Sequence, residues 1–352
     1  MALPSSGNQI TLNQVNVELG DTGTDLIGLN DADVRSLFGV SSGEIEMADG
    51  YGKSNISPWY GVRGIFAGGY ISSNNTDVIE YITISSTGNT TDFGNIEGPA
   101  RAKGACSNST RMVIGGSNNA FHSGGMDYIT TASTGNTTDF GDMSGDSYNP
   151  GACGNDTRGL WSCIGIWPAT NVIEYITTAS VGNTTDFGDM TMARSGNCAS
   201  NSTSRAVFSG GSASNTLRDI IDYVTIASTG NASDFGDMTR TRTQLHACES
   251  PTRVCFLGGF KSSGGWGVVN NIDYITTAST GNATDFGDLN APGGQGASCS
   301  NGTRGVMKLS RTTDFAYTDA ISYITIASTG NGTDFGNSLE ASDNVAGSSG
   351  TA

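Results

Sequence analysis

Residues 128–142 read YITTASTGNTTDFGD, and nearly the same fifteen residues return at 175–189 (YITTASVGNTTDFGD) and 274–288 (YITTASTGNATDFGD). Looser copies extend the series, so that anchor tyrosines fall at Tyr81, Tyr128, Tyr175, Tyr223, Tyr274 and Tyr323, spaced 47, 47, 48, 51 and 49 residues apart. A period near 50 residues marks one supersecondary unit per repeat. Six units are present.

Working outward from Tyr128, the unit resolves into four short strands: GACSN (104–108), RMVIGG (111–116), MDYITTAS (126–133) and TTDFGDM (137–143). In the third, Tyr128, Thr130 and Ala132 alternate with Ile129, Thr131 and Ser133, as a half-buried strand requires. STGN between strands three and four is a turn signal, with Gly135 and Asn136 both tolerant of positive φ. Four antiparallel strands every 40–50 residues make the blade of a β-propeller. The fold class expected is therefore all-β, a six-bladed propeller over 57–352.

The two ends of the series predict how the ring closes. The first unit opens at GVRGIFAGG (61–69), which matches second strands such as SRAVFSGG (204–211), so its first strand is missing. The C-terminal SDNVAGSSGT (342–351) resembles the first strand SGNCASNST (195–203), with Val345 in the cysteine position. The C-terminal segment is expected to complete the first blade.

Composition agrees with this class. Gly supplies 51 of 352 residues, beside abundant Ser, Thr and Asn, the residues that tight turns need. Net charge is −16, which repels phosphate backbones and argues against a nucleic-acid partner. No apolar run reaches the length of a membrane span, and MALPSSGNQI lacks the basic and apolar regions of a signal peptide. Five of the seven cysteines (Cys106, Cys153, Cys198, Cys248, Cys299) are read as occupying one position of successive units. Equivalent positions rarely approach within disulfide reach, so buried free thiols and synthesis in a reducing compartment are expected.

Repetition separates scaffold from candidate site. Phe93, Phe140, Phe187, Phe235, Phe286 and Phe335 keep step with the tyrosines and are read as core between blades. Arg63, Arg111, Arg158, Arg205, Arg253 and Arg304 begin strand two, while Asp92, Asp139, Asp186, Asp234, Asp285 and Asp334 begin strand four. Both sets lie on one face of the disc, and a ring of Arg–Asp pairs is expected. On that face the turns barely change. The 2–3 loops and 4–1 loops on the other face vary in length and chemistry. Aromatic residues on varied loops suit sugar or protein recognition, which nominates Phe121, His122, Tyr148, Trp167, Phe260, Trp266, Phe315 and Tyr317 as ligand-binding. No catalytic constellation, metal site or cofactor motif emerges. The two histidines lie in different units, and carboxylates are scarce in the variable loops, against the facing pair that glycoside hydrolysis needs.

The unit resembles the kelch family in its double glycine after strand two (Gly68–Gly69, Gly115–Gly116, Gly210–Gly211, Gly258–Gly259), its strand-three Tyr, its strand-four aromatic, and the tail DMTMAR (189–194). It departs from that family in using Phe in strand four and in replacing the double glycine by Ile164–Gly165 and Leu309–Ser310.

Residues 1–56 are not a blade. A capping box at Thr11–Gln14 precedes LNQVNVEL (12–19), and LNDADVRSLF (29–38) reads as a second short helix. The small apolar set of Leu12, Val15, Leu19, Val34, Leu37 and Phe38 is too slight to be stable alone, so it is expected to dock on something. MALPSSGNQITLNQVNVELG, LNDADVRSLFG and YGKSN resemble the N-terminal module of tail-fibre and other virion proteins of tailed phages, as the YITIASTGN-type units resemble their propellers. That resemblance implies a non-enzymatic virion protein made in the host cytoplasm and oligomeric on the particle. Its residues 1–56 would meet other virion proteins, and its propeller would meet a host surface glycan, a receptor or neighbouring subunits. A purely structural decoration protein and a carbohydrate-active propeller enzyme are the alternatives.

Overall fold

The computed structural model describes residues 61–350 apart from 118–123, 148 and 165–168, together with Val15, Val34, Arg35 and Leu37. The chain divides into two compact units, Met1–Ser57 and Pro58–Ala352. In the first, Val15, Val34 and Leu37 lie in helical segments with buried side chains. Leu12, Leu19 and Phe38 fall outside the described residues.

The second unit is a six-bladed β-propeller. Its six four-stranded antiparallel sheets follow one another along the chain. The second blade, for example, is Gly104–Ser107, Arg111–Gly115, Gly125–Thr130 and Thr138–Asp142, numbered outward from the central channel. The first blade takes its innermost strand from the C-terminus: Ala346–Gly350 pairs antiparallel with Arg63–Ile71, Arg63 opposite Gly350 and Ala67 opposite Ala346. Ring closure by the C-terminal segment thus agrees with the sequence, with one correction of register. Ala346, not Val345, stands opposite the fourth residue after the strand-two arginine, where Cys198 stands in blade four.

Cys198 itself is two residues out of step with the other four cysteines. Cys106, Cys153, Cys248 and Cys299 each face the second residue after the arginine, and in blade four that place belongs to Ser200, opposite Val207. Three of these thiols fill a notch in the next blade, while the next blade beside Cys153 carries Ala206 at the notch position. A Cβ added at Gly159, Gly305 or Gly64 would come within 2.2 Å of the Sγ of Cys106, Cys248 or Cys299. Where the inner residue is the smaller Ser200 or Ser348, the next blade carries Val254 or Met112 at the glycine position. Volumes are thus balanced blade by blade, as close packing demands. All seven cysteines are buried thiols.

The core runs between blades. The six phenylalanines are 1–3 % exposed, and each meets the tyrosine of its own blade edge to face, with centroids 5.7–6.0 Å apart and planes at 79–85°. Phe93 of blade one also packs among Ala105, Met112, Ile114 and Ile129 of blade two. The residue before each tyrosine is buried and acidic in five blades: Glu80, Asp127, Glu174, Asp222 and Asp273. Fully buried Arg194 and Arg242 neutralise Asp222 and Asp273 at 2.7 and 2.6 Å, and Lys308 reaches Glu80 from the neighbouring blade at 2.7 Å.

The predicted Arg–Asp ring is not formed. Each of the six arginines instead lays its guanidinium over its own blade's tyrosine, 4.2–4.7 Å from the centroid. Each also donates from Nη1 to a carbonyl at the end of strand three in the next blade: Thr131, Thr178, Ile226, Thr277, Ile326 or Ile84, at 2.7–3.2 Å. The arginines do stitch the blades. The six aspartates stay exposed on the outermost strand, where a surface pair held in fixed geometry would return too little to offset lost hydration and side-chain entropy.

The repeated STGN connector also does more than turn. Strand three ends at Thr130 rather than Ser133, because the chain leaves its own blade and lies along the outermost strand of the preceding one. Gly135 donates to Phe93 O at 2.7 Å and Thr137 to Asn95 O at 2.9 Å, while the Asn136 side chain accepts from Asn95 N at 3.0 Å. Asn136 therefore serves through its amide, not through a positive φ. Five further seams repeat the clasp, including Gly88 N to Phe335 O at 2.8 Å. A β-bulge lets each outer strand receive it: register shifts before Glu80, Asp127, Glu174, Asp222, Asp273 and Ser322. The exposed edge of each blade, a liability in any open sheet, is covered by its neighbour.

Candidate functional site

The face carrying the 2–3 loops holds an aromatic cluster between blades five and six. Strand two of blade five ends at Gly258–Gly259, with φ of +56° and +103°. A Cβ on Gly258 would sit 2.1 Å from Gly293 O, so only glycine permits this exit. The chain then forms a small hairpin, Phe260–Lys261 against Gly267–Val268. Phe260 exchanges backbone bonds with Thr243, at 2.8 and 3.1 Å. Its ring is 4 % exposed and lies over Gly294, whose added Cβ would meet the ring at 2.8 Å.

Phe260 is thus a floor and not the exposed loop aromatic that the sequence suggests; burial between two connectors outcompetes exposure. On it stack Trp266, with centroids 5.7 Å apart and planes at 25°, and Phe315 from the 2–3 turn of blade six, at 6.0 Å and 18°. Trp266 is 55 % and Phe315 40 % exposed. Arg311 braces the cluster: Nε is 2.6 Å from Asp343 Oδ2, Nη1 donates to Phe315 O, and the guanidinium lies 3.9 Å from the Tyr317 centroid. Of the eight nominated residues, the fold brings Phe260, Trp266 and Phe315 together, with Tyr317 alongside. Phe121, His122, Tyr148 and Trp167 lie outside the described residues.

Sequence reasoning missed the central channel. Its wall is made by the innermost strands and the residues before them, and it encloses about 110 Å³. Six connector positions at its mouth, one per blade, have left-handed backbone: Ala102, Asn149, Gly196, Gln244, Gln295 and Asn344, with φ between +51° and +66°. Their peptide groups form a head-to-tail chain of hydrogen bonds around the mouth. Ala102 N donates to Asn344 O, Asn149 N to Ala102 O, Gln244 N to Gly196 O, Gln295 N to Gln244 O and Asn344 N to Gln295 O, at 2.6–3.1 Å.

At the other end of the wall the last residues are Ser107, Gly154, Asn201, Glu249, Ser300 and Ser349, one per blade. Glu249 is the one carboxylate in that ring. It accepts from Ser200 Oγ at 2.7 Å and Ser300 Oγ at 3.2 Å. Burial pushes its pKa up to about 7, against the lowering effect of those two hydroxyls. On the same strand, burial brings His246 down to about 4. Counting from the strand-two arginine would have exposed Glu249 as an outlier among small polar residues. Nothing local in the sequence marks the left-handed positions, since Ala, Asn, Gln and Gly all fill them.

The pair that replaces the double glycine in unit three is likewise shifted by one residue, to Cys163–Ile164. The left-handed residue after strand two there is Cys163, with φ of +63°, one residue before the Ile164–Gly165 pair.

Among the described residues no group of three or more His, Cys, Asp or Glu side chains could hold a metal ion, and no helix is long and apolar enough to cross a membrane. Compared with known proteins, the chain matches no protein-family model and no curated protein.

Proposed function

We propose that this chain is a non-enzymatic phage virion protein, a tail-fibre, tail-tip or head-appendage component, whose propeller recognises a host surface glycan through its variable face. The observation that carries the reading is the pair of exposed rings of Trp266 and Phe315, each stacked at a shallow angle on the buried Phe260. Rigid aromatic faces stack on the C–H faces of sugars and lose little entropy on binding. The resemblance of residues 1–56 to virion modules supports placement on a particle, where several copies would add their weak contacts.

The test is a glycan array and host-cell adsorption assay with the purified full chain, repeated with Trp266→Ala and Phe315→Ala. Specific binding that falls at least ten-fold in both folded variants is the expected result. Binding indifferent to both substitutions removes the recognition site, and no binding at all favours a decoration protein. In parallel, deleting 1–56 is expected to abolish incorporation into particles; a truncated chain that still joins them ends the anchoring idea.

A further inference from the structure

The inner two strands of blade five, His246–Glu249 and Arg253–Leu257, place Cys248 directly opposite Cys255. Ser250 N donates to Arg253 O at 2.8 Å, so the pair two residues further in, Cys248 and Cys255, is again a hydrogen-bonded pair of the ladder. Residues so paired have Cα atoms about 5.5 Å apart and side chains on one face of the sheet. That separation falls within the roughly 4.4–6.8 Å that a disulfide spans. Both side chains face the seam with blade six, in one cluster with Met307, Leu309 and Ile324. A hydrogen bond between the two thiols, with burial behind it, raises the Cys248 pKa well above its ordinary value.

The pairing is particular to blade five. At the place of Cys255, two residues after the strand-two arginine, the other blades carry Ile65, Val113, Leu160, Val207 and Val306. Packing there is met by a branched aliphatic side chain, and only opposite Cys248 does a second thiol take its place. None of the other five cysteines stands opposite a cysteine.

We propose that Cys248 and Cys255 form a redox site, a cross-strand dithiol that closes to a disulfide as the chain folds in the presence of oxidised glutathione or a similar disulfide. Both thiols are wholly buried in the finished ring, so the exchange belongs to the stage before blade six covers them. One thiolate attacks a sulfur of oxidised glutathione, whose S–S bond breaks and releases a glutathione thiolate. The other thiolate then attacks the mixed disulfide at the protein sulfur and displaces the second glutathione. The two thiols lose two protons and two electrons, and the oxidant leaves as two molecules of reduced glutathione. The bond ties the innermost strand of blade five to the strand that leads through Gly258–Gly259 into the aromatic hairpin. It does not depend on the virion reading.

The test is refolding of the full chain from urea in glutathione redox buffer. Free thiols are then alkylated with iodoacetamide in denaturant and the peptides mapped without reduction. Trypsin cuts after Arg242, Arg253 and Lys261, so the two cysteines fall on separate peptides, 243–253 and 254–261, that only the disulfide joins. The joined pair is expected in most refolded chains, with the other five cysteines alkylated. Cys255→Val, which installs the residue of blades two, four and six, should fold and leave Cys248 alkylated. In the same buffer, folded reduced protein should gain the bond at least ten-fold more slowly than refolding chain; equal rates would overturn the shielding by blade six. If the chain does not refold, the map is read on protein made in a bacterial host with an oxidising cytoplasm. Folded protein with Cys248 and Cys255 both alkylated, or with either joined to another cysteine as often as to its partner, would overturn the assignment.

Discussion

On one face of the disc the same contacts recur at all six seams: an arginine over a tyrosine, its Nη1 on the next blade's carbonyl, and an STGN connector clasped to the preceding outer strand. On the other face blade five carries a separate small hairpin, blade four another (Ser212–Ala213 with Thr216–Leu217), and blades one and six extend their second and third strands unbroken. The difference is where tolerance lies. A seam residue must satisfy two blades at once, so it repeats. A 2–3 loop projects from one blade and is free to change length and chemistry while the seams hold.

Removing the C-terminal strand should break both faces together. A chain ending at Ala341 lacks the inner strand of blade one, and with it the Ser107–Ser348 hydroxyl contact at 2.7 Å and the Ser107 to Ser349 O bond across the seam to blade two. An open ring leaves two blade faces of apolar surface in water. Cooperative thermal unfolding is expected to disappear, with dye-binding apolar surface at 25 °C. A truncated chain that melts in one sharp step near the full-length temperature would show that closure contributes little.

Breaking a single seam on the constant face should cost less but still be severe. Gly94 has φ of +148°, and an added Cβ would lie 2.2 Å from Gly135 O. The obstacle is backbone, so no rotamer change relieves it. Gly94→Ala is expected to destabilise by roughly 2–4 kcal/mol through overpacking and the lost clasp, read as a shift in the urea midpoint. Gly88→Ala, in the equivalent connector of blade one, is the control, because its φ is not positive and nothing lies within 4 Å of its added Cβ. Equal effects of the two would refute the clasp.

The readability of these two regions from sequence follows the same division. The repeat of Tyr128–Asp142 revealed blade number, strand order and closure, because each seam imposes the same side chains six times. It misled over partners. Arg63 and Asp92 recur in step, yet Arg63 reaches a carbonyl of the next blade, and recurrence alone does not say whether a residue serves its own unit or its neighbour. Phe260 looked like Trp266 in the sequence; only the approach of Gly294 and Thr243 from other segments makes one a floor and the other a surface. The channel was illegible for a related reason. Its wall is one position taken from each of six units, and those positions are chemically mixed.

That mixed wall gives a pH test of intermediate size. Glu249 has an ordinary value of 4.5 and is raised to about 7 on folding. The native state therefore holds a proton that the unfolded chain has released, and stability falls as pH rises from 4.5 to 7. His246 has an ordinary value of 6.5 and is lowered to about 4. There the unfolded chain binds the extra proton, and stability falls as pH drops from 6.5 to 4. Between pH 4.5 and 6.5 the two slopes oppose each other, so wild-type stability should be nearly flat. Glu249→Gln should unmask a rise with pH, and His246→Gln a fall, each on the order of 1–3 kcal/mol across its window after allowance for water in the channel. Parallel profiles for wild type and both variants would mean that neither group is perturbed.

The smallest effect on stability is expected where the effect on recognition is largest. Trp266 sits at the hairpin tip with 55 % of its surface exposed, so Trp266→Ala removes little area from a buried state. The remaining stack on Phe260 is worth about 1 kcal/mol, and part of it is regained as the Phe315 stack persists. A midpoint shift below about 1 kcal/mol, measured beside Gly94→Ala under the same conditions, would place Trp266 on the tolerant side of the division. A loss as large as that of Gly94→Ala would mean instead that the aromatic cluster braces blades five and six. The variable face at that seam would then be part of the scaffold, and its aromatic residues would no longer argue for a ligand.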